Sequence, residues 1–229
     1  MDNKTKVTIV IPYRNRETHM TQFIDMFQKY FVDLNSKFTL VFVEQCNEKP
    51  FNRGKLLNVG MKEFYNETDY FMNHDIDILP NMECIKSIYD MHKHNYDIVR
   101  ISSPHEHSCG RLVKFSTDIL CTMNGYPNDI WGWGIEDRAF YYRCKYMNTK
   151  ISSRMNNIFS FKFLNHASNI CEYLNEKKKQ SDIWTDEYLK RLSKEQLNSI
   201  IMKNGFNDVE YRVIKREQKD NIVVLKVDI

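Results

Sequence analysis

The sequence predicts an α/β domain with a mainly parallel central sheet, flanked by helices and closed by a C-terminal β-hairpin. Three observations support this prediction. Short β-branched runs alternate with stretches that have apolar residues at helical spacing, each apolar run ends in polar residues, and the C-terminal stretch resembles paired strands. Strands that alternate with helices form right-handed parallel sheets, so we expect a single domain over residues 1–229.

The first five predicted elements alternate between strand and helix. Lys6–Arg14 is a β-branched run that predicts a buried strand, and His19–Phe31 has the apolar spacing of a helix. The same patterns predict a strand at Phe38–Gln45 and a helix at Gly54–Tyr65, and Asp69–Pro80 is predicted as a third strand. Polar residues end all three strands. Ligands of parallel sheets bind beyond the carboxyl ends of the strands. The edge of the sheet formed by these strand ends, called the rim below, is therefore the expected site.

The later elements follow from the same patterns. Met82–His94 is predicted as a helix, Tyr96–Ser102 as a strand, and Ile135–Met147 as a helix whose dipole keeps two carboxylates in its first turn ionised. Ala167–Asp186 is polar, has few apolar residues and is expected to be a mobile loop. The stretch Val209–Ile229 is expected to close the fold as a hairpin.

Composition and charge exclude several classes of protein. The chain has 229 residues, of which 42% are hydrophobic, enough to bury a substantial core. Its 33 basic and 30 acidic residues are too balanced for a nucleic-acid footprint, so no nucleic-acid partner is expected. No apolar run approaches the ~20 residues that span a bilayer and no apolar signal segment is present, so we expect a cytoplasmic chain without a transmembrane segment. The six cysteines form no Cys-x-x-Cys pair, as expected of reduced thiols.

Two carboxylates, Asp75 and Asp77, stand where the third predicted strand gives way to a loop. Residues two apart on an extended chain point the same way, so both can face one Mg²⁺ or Mn²⁺ ion that neutralises a diphosphate. Two alternatives remain open. A strand-end Asp-x-Asp can cap a turn, or Asp75 can be the nucleophile of a haloacid-dehalogenase-type phosphatase. The phosphatase pattern requires Thr or Val where Leu79 stands, so it ranks below the metal site.

Three arginines lie next to the predicted strands and helices of the N-terminal half. Arg14 and Arg16 follow the first predicted strand, and Arg53 precedes the second predicted helix. Guanidinium groups bind phosphate oxygens and stack on bases, whereas a single surface arginine often forms only an ion pair. Together with the acidic strand end, the three arginines indicate a nucleoside diphosphate.

The stretch Met123–Phe140 concentrates tryptophan and glycine in a chain with only 3 Trp and 7 Gly. Flat indole rings beside the adjacent carboxylates Glu136 and Asp137 suit a sugar ring and an acid–base group. The alternative is a glycine-rich turn with its tryptophans packed into the core. This stretch is therefore a candidate sugar-binding segment.

Four motifs, in this order, resemble the β-1,4-galactosyltransferase family: IPYRNRETHM, FNRGKLLNVG, NHDIDILP and NGYPNDIWGWGIED. The tail, with YRVIK and VVLKVDI, is similar to that family's C-terminal strands, so the resemblance runs from Val7 to Ile229. It implies a GT-A fold and an inverting glycosyltransferase that depends on Mn²⁺, or alternatively Mg²⁺, and uses a UDP-sugar donor. Members usually lie behind a membrane anchor in the secretory pathway, and this chain resembles their catalytic part alone.

The resemblance also implies roles for individual residues. The donor-binding positions are Pro12, Tyr13, Arg14, Arg16, Phe51, Arg53, Asp75, Ile76 and Trp133. Asp77 and His166 match the metal ligands, with Phe163 where the family often has a further methionine ligand. Asp137 matches the catalytic base, with Glu136 beside it. These roles agree with the chemistry, because an inverting transfer needs one base for the acceptor hydroxyl and a cation for the leaving diphosphate.

Two departures from the family leave the substrates open. Arg138 and Ala139 replace acidic residues that hold the acceptor sugar. Arg138 and Gly110 are assigned to the acceptor site. We therefore expect either an anionic acceptor or an acceptor that is held by other residues. The family's Gly-Gly turn, preceded by an aromatic residue that limits the donor's second carbon, appears here as Ser108-Cys109-Gly110-Arg111. A smaller side chain admits an N-acetyl group, so the expected donor is UDP-galactose or UDP-N-acetylgalactosamine.

The predicted function is metal-dependent, inverting transfer of one of these hexoses to a hydroxyl of a glycan or glycoconjugate acceptor. A sugar-binding pseudoenzyme that keeps the UDP-sugar cleft without turnover is the alternative from a different class. Asp77, Asp137 and His166 are all present, which favours the enzyme.

Overall fold

A computed structural model describes residues 5–31, 38–81, 95–132, 134–153, 161–165 and 182–229. The predicted helix Met82–His94 and most of the predicted loop Ala167–Asp186 lie outside the described residues. So do two of the predicted site residues, Trp133 and His166. Among the described helices, none has the length and apolar character needed to cross a membrane.

The described strands and helices run from Val7 to Asp228. The strands are β1 Val7–Tyr13, β2 Phe38–Gln45, β3 Tyr70–His74, β4 Ile78–Pro80, β5 Ile98–Ser102, β6 Leu112–Ser116, β7 Phe161–Phe163, β8 Arg212–Lys219 and β9 Ile222–Asp228. The helices are α1 Glu17–Phe31, α2 Arg53–Phe64, α3 Thr117–Met123, α4 Glu136–Tyr146, α5 Asp186–Leu189 and α6 Lys194–Met202.

Seven strands form one central sheet in the order β5-β6-β3-β1-β2-β9-β8. Its middle is parallel, because β1 pairs in parallel with both β2 and β3, and β2 pairs in parallel with β9. Both edges are antiparallel, since β6 pairs with β3 and β5, and β8 pairs with β9. The predicted parallel centre and C-terminal hairpin are confirmed. The second strand of the hairpin also extends the central sheet.

The central strand β1 is buried over its whole length and separates two apolar clusters. Ile9 and Ile11 face one cluster, where Phe23 of α1 packs. Val10 faces the other cluster, where Leu57 of α2 packs. This alternation follows from the two-residue period of a strand. Helices therefore cover both faces of the sheet, and the strand ends are left to form the site.

The predicted strand Asp69–Pro80 is wrong as a single element. β3 ends at His74, and the chain then turns so that the N–H of Ile78 donates to the carbonyl of Asp75 at 3.3 Å. β4 pairs with β7 in a separate two-stranded sheet. Because Asp75 and Asp77 lie in this turn and not on an extended strand, the alternation argument for their common direction does not hold.

Helix α4 is held along its C-terminal half by the buried guanidinium of Arg143. Its Nη1 donates to the carbonyl oxygens of Asn124 at 3.0 Å and Gly125 at 3.1 Å, and its Nη2 donates to that of Asn204. The Trp184 ring lies 5.5 Å from the guanidinium. Burial lowers the pKa of Arg143 to about 10, which leaves the group charged at neutral pH. These contacts fix the position of α4 and of the carboxylates in its first turn.

Candidate active site

The carboxyl ends of the parallel strands β1, β2 and β3 lie at one rim of the sheet, as predicted. The chain segments that meet at this rim are joined by two side chains, Phe51 and Arg53. Both flank Asn52, which starts α2 by accepting a hydrogen bond from the N–H of Lys55 at 2.8 Å. The start of α2 therefore presents Phe51 and Arg53 to the rim.

Phe51 joins the loop after β1 to the tryptophan segment. The guanidinium of Arg14 lies 5.8 Å from the centre of the Phe51 ring, and its Nη1 donates to the carbonyl of Lys49 at 2.6 Å. The carbonyl of Phe51 accepts a hydrogen bond from the N–H of Gly132 at 2.8 Å. The ammonium group of Lys49 lies 5.4 Å from the ring of Trp131. Aromatic rings and cations thus alternate here, and a nucleobase can stack on such an arrangement.

Arg53 joins the β3–β4 turn to the first turn of α4. Its Nε donates to Oδ1 of Asp75 at 2.7 Å, and its Nη1 lies 3.5 Å from Oε1 of Glu136. The guanidinium also lies 5.9 Å from the ring of Tyr126. Burial lowers the pKa of Arg53, but Asp75 and the other neighbours outweigh burial and raise this pKa overall. Arg53 is therefore a permanent cation between two acidic segments.

The β3–β4 turn is supported from the interior by His74. This residue is fully buried, its ring packs edge-on against Phe23 at 4.8 Å, and its Nδ1 lies 2.9 Å from the carbonyl oxygen of Asp75. Since a carbonyl oxygen only accepts, Nδ1 carries the proton. Burial lowers the pKa of His74 to about 4, so the ring is neutral at pH 7. Burial raises the pKa of the Asp75 carboxyl, and the charge of Arg53 opposes that rise.

The predicted metal ligand Asp77 lies in the same turn, beside the strand that precedes His166 in the sequence. The N–H of Leu164 donates to the carbonyl of Asp77 at 2.8 Å, and Ile78 pairs with Phe163 in the β4–β7 ladder. In the parts of the chain that are described, no three His, Cys, Asp or Glu side chains are grouped so as to hold a metal ion. A carboxylate and an imidazole are donors that Mn²⁺ accepts, so the two predicted residue types fit this ion.

Phe163 brings no ligand to that ion. Its ring is an exposed surface group, with 53% of the residue accessible, and the guanidinium of Arg111 lies 5.1 Å from the ring centre. A phenyl ring has no atom that binds a metal ion as a methionine sulfur does. A cation–π contact therefore occupies the position at which the family often has methionine.

The predicted base Asp137 is held by hydrogen bonds to both carboxylate oxygens. Its Oδ2 accepts from the hydroxyl of Ser108 at 2.5 Å, and its Oδ1 accepts from the N–H of Arg138 at 2.7 Å. The N–H of Cys109 donates to the carbonyl of Asp137 at 3.0 Å. A Cβ atom at Gly110 would lie 2.7 Å from Oδ2, so a larger residue at this position would displace the carboxylate. This turn and the start of α4 therefore pack as one unit.

The backbone at the start of α4 is strained. Gly134 has a φ of +90°, which glycine adopts readily, but Ile135 also has a positive φ, of +81°. A positive φ in a β-branched residue is a rare and costly conformation that persists only where surrounding contacts enforce it. Such strain concentrates at ligand-binding and catalytic sites. Here it sets the direction of the helix that carries Glu136 and Asp137.

Glu136 lies next to the base and is nearly inaccessible, with 6% of the residue exposed. Burial first, and then the charge of Asp137, raises the pKa of Glu136 to about 7, while Arg53 acts in the opposite direction. Its Oε2 is buried and makes no hydrogen bond to any of the described residues. A carboxyl group that keeps its proton near neutral pH can donate a hydrogen bond. The Glu136 side chain can therefore donate one to a bound ligand.

The other predicted donor residues are less accessible than the arginines. Pro12 and Tyr13 are buried in β1, and the Tyr13 hydroxyl donates to Oε2 of Glu44 at 2.9 Å. Ile76 is 6% exposed in the turn after β3. Arg16 is half-buried directly before α1. A donor contact at Pro12, Tyr13 or Ile76 therefore involves mainly the backbone, whereas Arg16 offers its side chain.

Two contributors to the site are not predicted from the sequence. Tyr126 lies under the guanidinium of Arg53 and stacks on Phe140 of α4 with ring centres 4.2 Å apart. Ser108 is predicted only as a determinant of donor size, yet its hydroxyl is directed at Asp137. The residue types alone give no signal for either contact, because both depend on how distant loops pack.

Solved structures share this fold. The catalytic domain of Drosophila β-1,4-galactosyltransferase 7, determined with xylobiose, matches with a TM-score of 0.76 at 22% identity over 98% of this chain and 94% of that chain. A variant of the Drosophila protein, determined with manganese, UDP-galactose and xylobiose, matches with a TM-score of 0.75 at 21% identity over the same shares of both chains. The chain therefore has the GT-A fold of these galactosyltransferase domains.

Sequence comparisons identify the family. Residues 2–90 match the N-terminal region of glycosyl transferase group 7, and residues 91–167 match the N-terminal domain of galactosyltransferase. β-1,4-Galactosyltransferase 1 of Bos taurus is 31% identical over 64% of this chain and 38% of its own length. β-1,4-Galactosyltransferase 3 of Rattus norvegicus is 25% identical over 93% of this chain and 53% of its own length. The chain belongs to the β-1,4-galactosyltransferase family, and it spans about half the length of the curated relatives it matches.

Proposed function

We propose that this chain transfers galactose from UDP-galactose to a hydroxyl of a glycan or glycoconjugate acceptor, with inversion at the anomeric carbon and in the presence of Mn²⁺. The observation that carries the proposal is that three of the motifs converge on Phe51 and Arg53 of the fourth, beside the helix that bears Asp137. The names of the relatives support galactose as the sugar. The Drosophila structure with manganese and UDP-galactose supports the donor and the ion.

The rim arginines bind the uridine diphosphate of the donor. Three guanidinium groups lie at the ends of the parallel strands, those of Arg14, Arg16 and Arg53. Phe51 adds an aromatic ring on which the uracil base can stack. The resemblance to the family adds Pro12, Tyr13, Asp75, Ile76 and Trp133 to the donor site. UDP-N-acetylgalactosamine is the alternative donor.

Asp77 and His166 would hold the metal ion. When bound, Mn²⁺ supplies positive charge to the diphosphate as it leaves the sugar. Arg53 adds a cation that belongs to the chain itself and is already oriented by Asp75 and Glu136. A charge that is fixed before the reaction costs no reorganisation when the leaving group becomes negative.

Asp137 acts as the general base. In a single displacement the acceptor oxygen bonds to the anomeric carbon, the bond from that carbon to the UDP oxygen breaks, and the hydroxyl proton moves to Asp137. Each carboxylate oxygen accepts one hydrogen bond from the protein and keeps a lone pair for the acceptor. Glu136 donates a hydrogen bond to the transferred sugar through its otherwise unused Oε2.

Arg138 and Gly110 flank the base and bind the acceptor. Arg138 is half-buried on α4, and Gly110 packs against the Asp137 carboxylate. A guanidinium beside the reacting hydroxyl can form a bidentate pair with a carboxylate or a phosphate. This position therefore favours an acceptor that carries a negative charge.

The alternatives have no supporting observation. A phosphatase would use the Asp75 carboxylate as its nucleophile, but Oδ1 of Asp75 is held by Arg53 at 2.7 Å. A pseudoenzyme would be expected to lack part of the reaction machinery, yet both Asp77 and Asp137 are present in a member of an enzyme family.

The test is a screen of UDP-sugars for hydrolysis, because slow transfer to water identifies the donor before the acceptor is known. UDP-galactose, UDP-N-acetylgalactosamine, UDP-glucose and UDP-N-acetylglucosamine are incubated with the protein in Mn²⁺ or EDTA, and released UDP is measured. We expect release from UDP-galactose in Mn²⁺, loss of release in EDTA and recovery when Mn²⁺ is restored. No release from any of the four donors, with or without sugar acceptors, would contradict the proposal.

A further inference from the structure

We infer that Ser108 is a positioning residue for the base: its hydroxyl holds the Asp137 carboxylate in the rotamer that receives the proton of the acceptor. This inference rests on the proposed function, in which Asp137 is the base. It assigns to Ser108 a different role from the expected one at the donor pocket. Ser108 is 1% exposed, so it presents almost no surface to a donor sugar.

The direction of the Ser108 hydroxyl hydrogen follows from its two partners. A serine hydroxyl donates one hydrogen and accepts through its lone pairs. The N–H of Gly110 donates to Oγ of Ser108 at 3.2 Å, and Oδ2 of Asp137 lies 2.5 Å from the same Oγ. An ionised carboxylate only accepts, so the hydrogen points to Oδ2. The short distance is typical of a charge-assisted hydrogen bond.

Other contacts fix the backbone on both sides of this hydrogen bond. The carbonyl of Ser108 accepts from the hydroxyl of Ser103 at 2.7 Å and from Nη1 of Arg100 at 3.4 Å. The N–H of Cys109 donates to the carbonyl of Asp137 at 3.0 Å. Loss of the Ser108 hydroxyl therefore leaves the turn and the helix start in place. What it removes is the hydrogen bond to the carboxylate, together with the one from the N–H of Gly110.

The two oxygens of the Asp137 carboxylate are held from two different segments. Oδ2 accepts from the Ser108 hydroxyl at 2.5 Å, and Oδ1 accepts from the N–H of Arg138 on α4 at 2.7 Å. Without the hydroxyl, the carboxylate can turn about its side-chain bonds. The serine hydroxyl thus keeps the base directed at the acceptor.

Three variants separate the hydroxyl from the turn that carries it. Ser108→Ala removes the hydroxyl, and Ser108→Thr keeps it. Ser103→Ala is the matched control, because its hydroxyl holds the same turn through the Ser108 carbonyl without touching Asp137. The readouts are the Asp137 side-chain rotamer, from crystal structures of the variants, and the kcat and KM for UDP-galactose.

In Ser108→Ala we expect the Asp137 carboxylate to leave the rotamer that it has in the wild-type protein. The value of kcat should fall roughly 10-fold while KM for the donor stays within about 2-fold, since donor binding does not use this hydroxyl. Ser108→Thr and Ser103→Ala should keep the wild-type rotamer.

An unchanged Asp137 rotamer in Ser108→Ala would overturn the inference whatever the activity. Equal changes of the rotamer in Ser108→Ala and Ser103→Ala would also overturn it, because the turn and not the hydroxyl would then act on the base. The rotamer can be observed without turnover. If the wild-type protein releases no UDP from UDP-galactose while the rotamer still changes in Ser108→Ala, the proposed function fails and the action of Ser108 on Asp137 stands.

Discussion

The guanidinium of Arg53 donates from Nε to Oδ1 of Asp75 at 2.7 Å, and the two side chains are only 13% and 26% exposed. The same guanidinium lies 3.5 Å from Oε1 of Glu136. One cation thus connects the turn after β3 with the helix that carries the proposed base. The geometry of the site depends on this connection more than on any single predicted motif.

Arg53→Met should lower the free energy of unfolding by about 3 kcal/mol, because it leaves two poorly accessible carboxylates without their cation. Arg191→Met is the matched control, since Arg191 pairs with Glu187 at the surface, where the two side chains are 72% and 80% exposed. The control should lose less than about 1 kcal/mol. Urea unfolding measures both, and equal small losses would show that Arg53 does not hold the site together.

Glu136→Gln should change how stability depends on pH. Since burial raises the pKa of Glu136 from the ordinary 4.5 to about 7, the folded chain keeps a proton that the unfolded chain has lost between these values. The contribution of Glu136 to stability is therefore present in full at low pH and is lost as pH rises through that range. The amide of Gln mimics the protonated form at every pH.

Thermal unfolding of both proteins between pH 5 and pH 8 checks this prediction. We expect the wild-type protein to lose stability relative to Glu136→Gln as pH rises, and we expect Glu187→Gln, which alters a carboxylate on an exposed side chain, to show no such trend. Parallel curves for wild type and Glu136→Gln would mean that Glu136 titrates as an ordinary surface carboxylate.

Asp77→Asn should weaken the response to metal, because an amide oxygen is a poorer ligand for Mn²⁺ than a carboxylate. The Mn²⁺ concentration that half-saturates UDP-galactose hydrolysis should rise roughly 10-fold or more. Asp220→Asn is the control, since Asp220 lies in the β8–β9 turn, at the end of the sheet opposite the rim. The same Mn²⁺ dependence in both variants would remove Asp77 from the metal site.

Arg138→Ala should weaken acceptor binding and leave donor hydrolysis nearly intact, because Arg138 lies beside the base on the side assigned to the acceptor. With an acceptor that carries a carboxylate or a phosphate, KM should rise roughly 10-fold, as for the loss of a charge-assisted pair. A neutral acceptor provides the comparison. An equal KM in variant and wild type for both acceptors would show that Arg138 does not contact the acceptor.

The sequence predicts those elements whose apolar pattern is long and uninterrupted. Phe38–Gln45 is predicted as a strand and is found with the same bounds as β2. Strand β6 is missed because Leu112–Ser116 is short and contains Lys114. That lysine is 2% exposed, with its ammonium group 5.2 Å from the ring of Tyr70. A buried cation that is satisfied by tertiary contacts interrupts the pattern from which strands are predicted.

The residue types of the site can be predicted from the sequence, but the ion pairs and hydrogen bonds between them cannot. Arg53, Asp75 and Glu136 are all identified from motifs, yet their pairing depends on the turn after β3, which the alternation of an extended strand does not describe. The direction of the Ser108 hydroxyl likewise depends on loop packing that leaves no local sequence signal. The roles of Trp133 and His166 stay predictions.

The account is tested most directly by the rate of galactose transfer in Asp137→Asn. Asparagine has nearly the same size as aspartate, and its amide oxygen can still accept one of the two hydrogen bonds from Ser108 and Arg138, but it cannot act as the base. UDP-galactose affinity, measured by calorimetry with Mn²⁺, should stay within about 3-fold of wild type, whereas transfer should fall roughly 100-fold or more. Transfer by Asp137→Asn at the wild-type rate would contradict the account.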